Sequence, residues 1–410
     1  MRRDVVVVGG GPAGSATAAL LARRGLDVVV LEKETFPRPK ACGEFLSPAA
    51  TPLLERLGAR ERIEAAGARR LDRIRIVVHG REVELRFPDT PRGPRWGYAL
   101  TRRHLDAILL DIARDSGAEV RERVRVEGPA FGPDGRIRGV LARDPDGSPR
   151  AVEARVTVGA GGRNDPVARS LALQRRERRR RYDLLAHWKG NGGSGKADAR
   201  PCELHVAGGG YVAAAPVEGG RLNVNCVVSR RALRRTPDPE RLYRRILEAH
   251  PALAGWTSGE RVEPVVATDV TPLAARRAVA DGAALVGDAA LFLDPFTGQG
   301  IYLALESAFL AAPVIAGALG RGRADRAAIA PYEEARRREF AAKRRISRAI
   351  QLALRRPGVA RWIAGRLRGD TRLADTLAAA TGDLAPARRA WSLSYAARLL
   401  AAAPFSLEGN

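Results

Sequence analysis

The chain has 410 residues, of which 45% are hydrophobic and 28% are charged, a composition typical of a globular protein with room for two or three domains. Its three cysteines lack paired spacing, which argues against a disulfide framework or a zinc site and favours a reducing cytoplasm. The net charge is +24, and no apolar run is expected to reach the roughly 18–20 residues of a membrane span, the longest being 308–319.

The first predicted elements form a strand–turn–helix–strand unit. DVVVVGG at 4–10 predicts a buried parallel strand, the next segment predicts a helix that ends at Gly25, and DVVVLE predicts a strand that ends at Glu32. Gly9, Gly11 and Gly14 have the G-x-G-x-x-G spacing that lets backbone approach a pyrophosphate at a helix N-terminus. Glu32 is placed to bind an adenosine ribose. The unit predicts dinucleotide binding; the alternative is a glycine turn that only permits close helix packing.

The following segment, KETFPRPKACGEFLSP at 33–48, bears on which dinucleotide binds. It resembles the geranylgeranyl-reductase-like branch of the para-hydroxybenzoate-hydroxylase-type flavoproteins, the superfamily of the group A flavoprotein monooxygenases. The resemblance implies that the cofactor is FAD and that this loop passes beside the flavin ring. The alternative for Cys42 is a small buried apolar side chain. The matching positions are Phe36, Pro37, Arg38, Lys40, Cys42 and Gly43.

A predicted helix within residues 98–120 resembles the R-x-x-L-D-x-x-L helix of the same superfamily. By that resemblance, Arg102 reaches toward FAD. The alternative is an ordinary amphipathic helix, with Leu105 and Leu109 on its apolar face and an arginine at its start for solubility.

The segment RVTVGAGGRNDPVAR at 155–169 departs from the superfamily pattern G-A-D-G-x-x-S-x-V-R. Gly161 stands where an aspartate is expected, and Asp165 where a serine is expected. In the superfamily, the missing aspartate helps to bind both FAD and the nicotinamide donor. We therefore expect slow reduction by NADPH or NADH, or a need for a partner reductase. A negative charge at Asp165 is expected to repel the pyrophosphate of the donor.

Residues 208–229, GGGYVAAAPVEGGRLNVNCVVS, resemble the substrate-domain hairpin of the reductase branch. Tyr211 and Pro216 remain, but Ala213 and Ala215 stand in place of two large aromatic residues. This change is expected to open the pocket to a bulkier substrate. The Trp-x-Trp-x-Ile-Pro signature of flavin halogenases is absent from the sequence, which argues against halogenation.

A second glycine-rich segment, GDAALFLDPFTGQG at 287–300, follows a short predicted strand and precedes a predicted helix. It matches the second FAD motif of the superfamily, which implies that Asp288 bonds a ribityl hydroxyl and that the amides near Gly300 face the flavin. The two glycine-rich segments are therefore expected to meet in space and to bind one extended FAD. The predicted cofactor-binding residues are Gly9, Gly11, Pro12, Ala13, Gly14, Glu32, Lys33, Cys42, Gly43, Arg102, Gly287, Asp288, Pro295, Gly298, Gly300 and Ile301.

The predicted fold class is α/β, with a Rossmann-type FAD-binding domain on a parallel sheet, an interleaved substrate domain on a mainly antiparallel sheet and a C-terminal helical tail. RRERRRR at 175–181 is expected to be a solvated charged segment, and KGNGGSGKADARP at 189–201 a flexible connector. The tail is expected to pack on the FAD-binding domain or, alternatively, to act at a membrane surface or in substrate delivery. The domain boundaries are 1–70, 100–173 and 281–330 for the FAD-binding domain, 71–99 and 174–280 for the substrate domain, and 331–410 for the tail.

The resemblance implies that the flavin carries the redox chemistry, so no metal site is expected and the catalytic residues are not identified. Cys42, His187, His205 and Tyr211 are weak candidates, for which a structural role is the alternative. The expected function is an FAD-dependent monooxygenase that hydroxylates an aromatic or polyketide-like hydrophobic molecule of secondary metabolism. The alternatives are a reductase that saturates carbon–carbon bonds of an isoprenoid or quinone lipid, and a non-catalytic flavin-binding or charge-driven binding protein.

The positive charge bears on partners and location. Only five of the 70 basic residues are lysine, so a GC-rich coding bias is one explanation of the charge. An anionic membrane surface or an acidic partner is another. Nucleic acid is not expected, because the arginine runs lack interleaved aromatic residues for base stacking. The resulting expectation is a cytoplasmic protein, with a peripheral location at the membrane as the alternative.

Overall fold

A computed structural model describes residues 2–189, 200–207 and 210–401, so most of the predicted connector at 189–201 lies outside the described residues. The strands are β1 (Arg3–Val8), β2 (Val28–Leu31), β3 (Phe45–Leu46), β4 (Arg69–Leu71), β5 (Arg73–Val78), β6 (Arg81–Arg86), β7 (Gly97–Ala99), β8 (Glu119–Arg121), β9 (Arg125–Phe131), β10 (Ile137–Arg143), β11 (Pro149–Gly159), β12 (Gln174–Arg176), β13 (Arg181–Lys189), β14 (Cys202–Ala207), β15 (Gly210–Pro216), β16 (Arg221–Ser229), β17 (Val266–Asp269), β18 (Leu273–Ala275), β19 (Val279–Ala280), β20 (Ala283–Leu285) and β21 (Leu291–Phe292). The α-helices are α1 (Pro12–Ala22), α2 (Ala50–Leu57), α3 (Arg60–Ala65), α4 (Arg102–Asp115), α5 (Pro166–Ser170), α6 (Arg230–Arg235), α7 (Pro239–Glu248), α8 (Ala254–Thr257), α9 (Gly300–Gly320), α10 (Arg326–Leu354), α11 (Pro357–Gly369), α12 (Thr371–Thr381) and α13 (Leu393–Ala401).

The first sheet is the predicted parallel sheet. Six of its eight strands have the order β19-β20-β11-β1-β2-β8, and neighbours in this order are parallel except β19 and β20. Strands β10 and β9 extend the sheet from β11 by antiparallel pairing. Val5 to Val8 in β1 are at most 4% exposed, as expected for a parallel strand that is covered on both faces. Helices α1, α4, α9 and α10 contribute to the same hydrophobic core as this sheet.

The second sheet has the order β17-β13-β16-β15-β14-β5-β6 and is antiparallel apart from the pair β14 and β5. Its strands come from two separate parts of the chain, which confirms the interleaved α/β arrangement. One apolar cluster joins Val83, Tyr211 and Val227 of this sheet to α11 and α12. A second cluster joins Leu184 of the sheet to Trp256 and to α7. Helices therefore cover both sides of the antiparallel sheet.

The C-terminal helices pack against both sheets. Helix α10 contacts α9 and β19, whereas α11 and α12 contact β6 of the second sheet. Helix α10 therefore packs as predicted for the tail, whereas Val83, Leu85 and Phe87 offer an apolar surface to α11 and α12. Membrane contact by the tail stays a prediction.

Helix α9 is long and apolar enough to cross a membrane, judged by length and composition alone, and no other described helix meets this criterion. The expectation that no apolar run reaches such a length is therefore wrong, because Ile301, Leu303 and Leu305 extend the apolar stretch before 308–319. Twelve residues of α9 are buried, and the helix packs against α1, α2 and α10. It is a core helix of this fold.

A buried ion pair within the tail lies next to the start of α9. Lys343 Nζ lies 2.6 Å from Asp383 Oδ1, and the two side chains are 2% and 0% exposed. Asp383 also accepts hydrogen bonds from Ser47 Oγ at 3.1 Å and from Gln299 Nε2 at 2.5 Å. Because Gln299 directly precedes α9, the ion pair connects the tail to the second glycine-rich segment.

Replacing Asp383 with alanine should lower the free energy of unfolding by about 3 kcal/mol, because a buried ammonium loses its closest partner. The value lies at the low end of the usual range because Glu339 remains 3.6 Å from Lys343. Urea unfolding measures the change. The control is Glu260→Ala, which removes a partner of exposed Lys189 and should leave stability unchanged. Equal stability of Asp383→Ala and the parent protein would contradict the assigned role.

Candidate cofactor and substrate site

A cavity of about 850 Å³ lies where the two sheets meet, and residues from both glycine-rich segments line it. Its volume is in the range of cofactor and small-molecule sites. Of the predicted cofactor-binding residues, Gly14 and Gly287 lie behind the cavity wall. The other fourteen line the cavity: Gly9, Gly11, Pro12, Ala13, Glu32, Lys33, Cys42, Gly43, Arg102, Asp288, Pro295, Gly298, Gly300 and Ile301.

The cavity wall depends on close backbone contacts at the two glycines behind it. A Cβ atom on Gly14 would lie 1.9 Å from the carbonyl oxygen of Gly9, so α1 could not approach β1 with any side chain there. Gly287 has a φ of +56°, and a Cβ atom on it would lie 2.7 Å from Cβ of Ala13. The first and second glycine-rich segments therefore touch each other directly.

The carboxylate of Glu32 closes the end of the cavity formed by the first segment. Its Oε2 accepts a hydrogen bond from the Gly10 amide at 2.7 Å, and its Oε1 accepts one from the Glu34 amide at 2.9 Å. Glu32 follows β2 directly and is 4% exposed. This fixed carboxylate is placed to accept hydrogen bonds from a ribose.

The lining fits FAD. Helices α1 and α9 both begin at the cavity without a side-chain cap, so their first backbone amides lack hydrogen-bond partners within the helix. A Cβ atom on Gly11 or Gly300 would meet no heavy atom within 4 Å, so space remains beside both helix N-termini. The first segment would hold the AMP and pyrophosphate, and the second segment would hold the ribityl chain and the flavin.

Several charged side chains line the middle of the cavity. Arg102 is held by Asp106 through two hydrogen bonds, from Nε at 2.6 Å and from Nη2 at 2.8 Å. Burial raises the pKa of Asp288, although the charges of Lys40 and Arg163 oppose the shift. Within the described chain, the Asp288 carboxylate has no ion pair or hydrogen-bond partner, which leaves it free to bind a hydroxyl group.

Glu44 connects the flavin-side loop to the antiparallel sheet. Its Oε1 accepts a hydrogen bond from the Arg102 amide at 3.0 Å, and its Oε2 accepts one from Asn223 Nδ2 at 2.7 Å. His187 Nε2 lies 2.8 Å from the same Oε2, and His187 Nδ1 contacts Glu263. Burial lowers the pKa of His187, but the two carboxylates outweigh it and raise the pKa to about 9. His187 is therefore a charged structural residue, and it does not line the cavity.

Polar residues that the sequence analysis did not identify line the part of the cavity next to the antiparallel sheet. Asp183 is 4% exposed, its Oδ1 has no hydrogen-bond partner, and burial raises its pKa to about 7. Asn225 Oδ1 also lacks a partner. The pattern was visible, because Asp183 interrupts the apolar strand RYDLLAHWK and Asn223 and Asn225 alternate in RLNVNCVVS. The sequence did not show which face of these strands lies toward the cavity.

The candidate catalytic residues differ in their position relative to the cavity. Cys42 lines the cavity, its Sγ accepts a hydrogen bond from the Glu44 amide at 3.3 Å, and burial raises its pKa. Tyr211 lines the cavity and donates a hydrogen bond to Asp294 at 3.0 Å. His205 lies outside the cavity lining, is 3% exposed and pairs with Glu203 at 2.7 Å. Of these three residues, Cys42 and Tyr211 line the cavity and His205 does not.

The side chain of Asp165 does not line the cavity, where its charge was expected to repel an electron donor. Asp165 is 0% exposed, and its carboxylate accepts hydrogen bonds from the amides of Gly161 and Ala168, both at 2.8 Å. It caps the short helix α5, and burial raises its pKa to about 6. A Cβ atom on Gly161 would lie 3.0 Å from this carboxylate, so an aspartate at 161 would be crowded by a second carboxylate.

The two alanines of the substrate hairpin have different surroundings. Ala213 lines the cavity, as expected for a position that widens the pocket. Ala215 is 5% exposed and packs with Leu71 and Ala99 in a separate apolar cluster outside the lining. The substitution of aromatic residues by alanine therefore enlarges the cavity at one position.

Comparisons with known proteins agree with this geometry. The family of the FAD binding domain matches residues 2–346. Menaquinone reductase of Mycobacterium tuberculosis is 32% identical over 76% of each chain, and digeranylgeranylglycerophospholipid reductase 2 of Methanothermobacter thermautotrophicus is 31% identical over 81% of this chain and 83% of its own. Tryptophan 2-halogenase of Chondromyces crocatus is 29% identical over 75% of this chain, which spans only 60% of the halogenase. The solved structure of a probable FAD-dependent monooxygenase from Pseudomonas aeruginosa has a TM-score of 0.72 and 25% identity over 88% of this chain and 98% of its own.

The charged state of His187 predicts a pH dependence of stability. Because its folded pKa of about 9 exceeds the unfolded value of about 6.5, its contribution is fully present below pH 6.5 and is lost as the pH rises through 9. The free energy of unfolding in urea should therefore fall between pH 6 and pH 9, and His187→Gln should reduce that fall. The matched control is His250→Gln, because His250 contacts the backbone carbonyl of Ile246 at 2.7 Å. An unchanged pH slope in His187→Gln would contradict the assignment.

Proposed function

The chain belongs to the FAD-dependent oxidoreductases with an FAD binding domain, in the group A flavoprotein superfamily, and on this premise we propose that it is a reductase that saturates a carbon–carbon double bond of an isoprenoid or quinone lipid. The sequence alone favours a monooxygenase. The lining of the cavity and the two relatives of more than 30% identity support the reductase better.

The relatives support a reductase by identity and coverage together. The menaquinone reductase and the digeranylgeranylglycerophospholipid reductase both exceed 30% identity over more than three quarters of each chain. Both names describe reduction of a molecule with an isoprenoid part. Halogenation is not proposed, because the Trp-x-Trp-x-Ile-Pro signature is absent from the sequence.

Asp183 is the observation that carries the proposal. Saturation of a double bond needs a hydride and a proton, and bound FAD supplies the hydride chemistry. A buried carboxyl with a pKa of about 7 and a free oxygen is suited to proton transfer at neutral pH. Arg163 opposes the rise of this pKa, whereas Asp294 adds to it. Asp183 would therefore deliver the proton to the substrate.

The surrounding side chains suit an apolar substrate. Val227, Val270, Phe292 and Leu293 line the same cavity as Asp183. They would orient an isoprenoid or quinone by apolar contact and would exclude water from the carboxyl. Tyr211 keeps its proton, because burial and then Asp294 raise its pKa well above the usual value. Its hydroxyl, already bonded to Asp294, would position that carboxylate rather than act on the substrate.

A monooxygenase is the second candidate. Ala213 widens the cavity, which would admit an aromatic ring system. In that reaction Asp183 would act in the opposite sense, since its ionised form would accept a proton from an aromatic hydroxyl group. The two functions therefore require opposite protonation states of one residue.

The first test compares products and pH profiles. Reduced protein is incubated without oxygen with a menaquinone or a geranylgeranyl lipid, and the product is analysed by mass spectrometry. A reductase gives a product with two additional hydrogen atoms in its isoprenoid chain, which remain after the quinone ring is reoxidised, and its turnover falls as the pH rises above about 7 because Asp183 loses its proton. A product that gains an oxygen atom only in air, with turnover falling below pH 7, would establish the monooxygenase instead.

Within the same assay, Asp183→Asn should lower kcat by about 10²- to 10⁴-fold, the usual loss when a general acid is removed. Reduction of the flavin by dithionite should be unaffected. Asp269→Asn is the matched control, because Asp269 lies on the adjacent strand β17 outside the cavity lining. Equal turnover of Asp183→Asn and Asp269→Asn would remove Asp183 from the reaction.

A separate test concerns cofactor retention. Asp288→Ala should raise the Kd for FAD about 10- to 100-fold, because it removes an acceptor worth about 1.5–3 kcal/mol for the ribityl chain. Absorbance of the flavin after gel filtration measures retention. Asp134→Ala, in the exposed turn between β9 and β10, is the control. Undiminished retention in Asp288→Ala would contradict the assigned role.

A further inference from the structure

A second cavity, of about 1040 Å³, lies beside the cofactor cavity. Strand β12 and the segment after it form one side, and α10 forms the other. We call this cavity the arginine groove. RRERRRR at 175–181, expected to be a solvated segment, contributes much of one wall. The arginines of the lining are Arg175, Arg176, Arg178, Arg179, Arg181, Arg276, Arg336, Arg337, Arg344, Arg348 and Arg355.

Six of the eleven arginines of the groove have no carboxylate partner among the described residues, whereas Arg336 and Arg337 pair with Glu333 and Arg176 lies 3.9 Å from Asp269. Eleven arginines line it, but only two carboxylates do, those of Glu177 and Asp294. Glu177 lies 3.7 Å from Arg348, and Asp294 lies 3.4 Å from Arg181. Across the described residues, six arginines of the groove have neither an ion pair nor a side-chain hydrogen bond: Arg175, Arg178, Arg179, Arg276, Arg344 and Arg355.

Buried polar atoms in the groove also lack partners. Gln351 is 7% exposed, and neither its Nε2 nor its Oε1 has a hydrogen-bond partner. Arg336 is 4% exposed and bonds Glu333 at 3.0 Å, but its Nε has no partner. Unsatisfied buried polar groups are rare in folded proteins unless a ligand or ordered water meets them. These atoms and the free arginines therefore mark the same cavity as a binding site.

We propose that the arginine groove binds a diphosphate group. Guanidinium groups bind phosphate oxygens through paired, charge-assisted hydrogen bonds. A diphosphate has enough oxygen atoms to accept from arginines on both walls at once. Such a ligand supplies the negative charge that Glu177 and Asp294 do not.

The shape of the groove favours a small anion over a surface or a nucleic acid. The arginines lie on facing walls of a concave site, and a flat membrane surface does not reach both walls. The aromatic residues of the lining are Phe292 and Phe340, and Phe340 is 2% exposed. The groove thus offers little surface on which bases could stack.

The position of the groove connects it to the redox site. Phe292, Leu293 and Asp294 line both cavities, so one short segment separates the two sites. A molecule with a diphosphate at one end would place its other end near the cofactor cavity. Two kinds of molecule have this chemistry. One is a substrate with an apolar chain on a diphosphate, and this choice rests on the proposed function. The other is a nicotinamide dinucleotide donor.

The first experiment measures binding of inorganic pyrophosphate to the FAD-loaded protein by titration calorimetry. The double variant Arg344→Gln and Arg355→Gln should weaken binding by about tenfold or more for each arginine removed. Both side chains lack ion pairs, so the variant is expected to fold. The control, Arg361→Gln and Arg372→Gln, removes the same charge from exposed positions on α11 and α12 and should stay within about twofold of the parent.

The second experiment identifies the source of the diphosphate. With dithionite as reductant, the groove variant should raise the KM for a prenyl diphosphate if the substrate carries the group. In anaerobic stopped-flow reduction, it should raise the Kd for NADPH if the donor carries the group. Either result supports the groove as a diphosphate site. If the parent protein turns over none of these substrates but still binds pyrophosphate, the proposed function is wrong and the diphosphate site stands.

Three results would overturn the proposal. The first is that the parent protein fails to bind pyrophosphate saturably. The second is that the control variant weakens binding as much as the groove variant. The third is that the groove variant changes only adsorption to vesicles of phosphatidylglycerol or to single-stranded DNA. The last result would assign the charge to a macromolecular surface.

Discussion

The contact between the two glycine-rich segments is the constraint on which the site depends. Gly14 lets α1 lie against the backbone of Gly9, and Gly287 lets the second segment reach Ala13. Any side chain at these two positions would separate the elements that form one wall of the cavity. Because both residues lie behind the lining, they shape the site without contacting its contents. Segments almost three hundred residues apart thus form one binding surface.

Two buried polar networks transmit this geometry to the rest of the molecule. Glu44 bonds the start of α4 and also His187 and Asn223 on the antiparallel sheet, so it fixes the substrate sheet relative to the cofactor loop. Asp383 does the same for the tail, since it bonds Lys343 and Gln299 at the start of α9. Both carboxylates accept from several elements at once. Such networks specify one arrangement of the domains, because every alternative leaves a buried charge without partners.

The distribution of charge separates two kinds of chemistry. The cofactor cavity mixes cations with carboxylates, and Asp183 there has a pKa near neutrality. The arginine groove, in contrast, has eleven arginines and two carboxylates. Part of the large net charge is therefore concentrated on one concave surface next to the redox site. A coding bias toward arginine accounts for the frequency of the residue but not for this placement.

The sequence by itself determined the fold class and most of the predicted residues that line the cavity. The glycine spacing, the valine run of β1 and the acid that ends β2 act over a few neighbouring residues, so local patterns were enough to identify Gly9, Gly14 and Glu32. Asp288 was identified from the resemblance of the second glycine-rich segment to a known FAD motif. Tertiary structure alone decided which polar side chains of the second sheet meet the cavity. Asp183 lines it whereas His205 pairs with Glu203 away from it, because strand order and register set the direction of each side chain. Likewise, the arginines at 175–181 and on α10 form a groove only because folding brings two distant segments face to face.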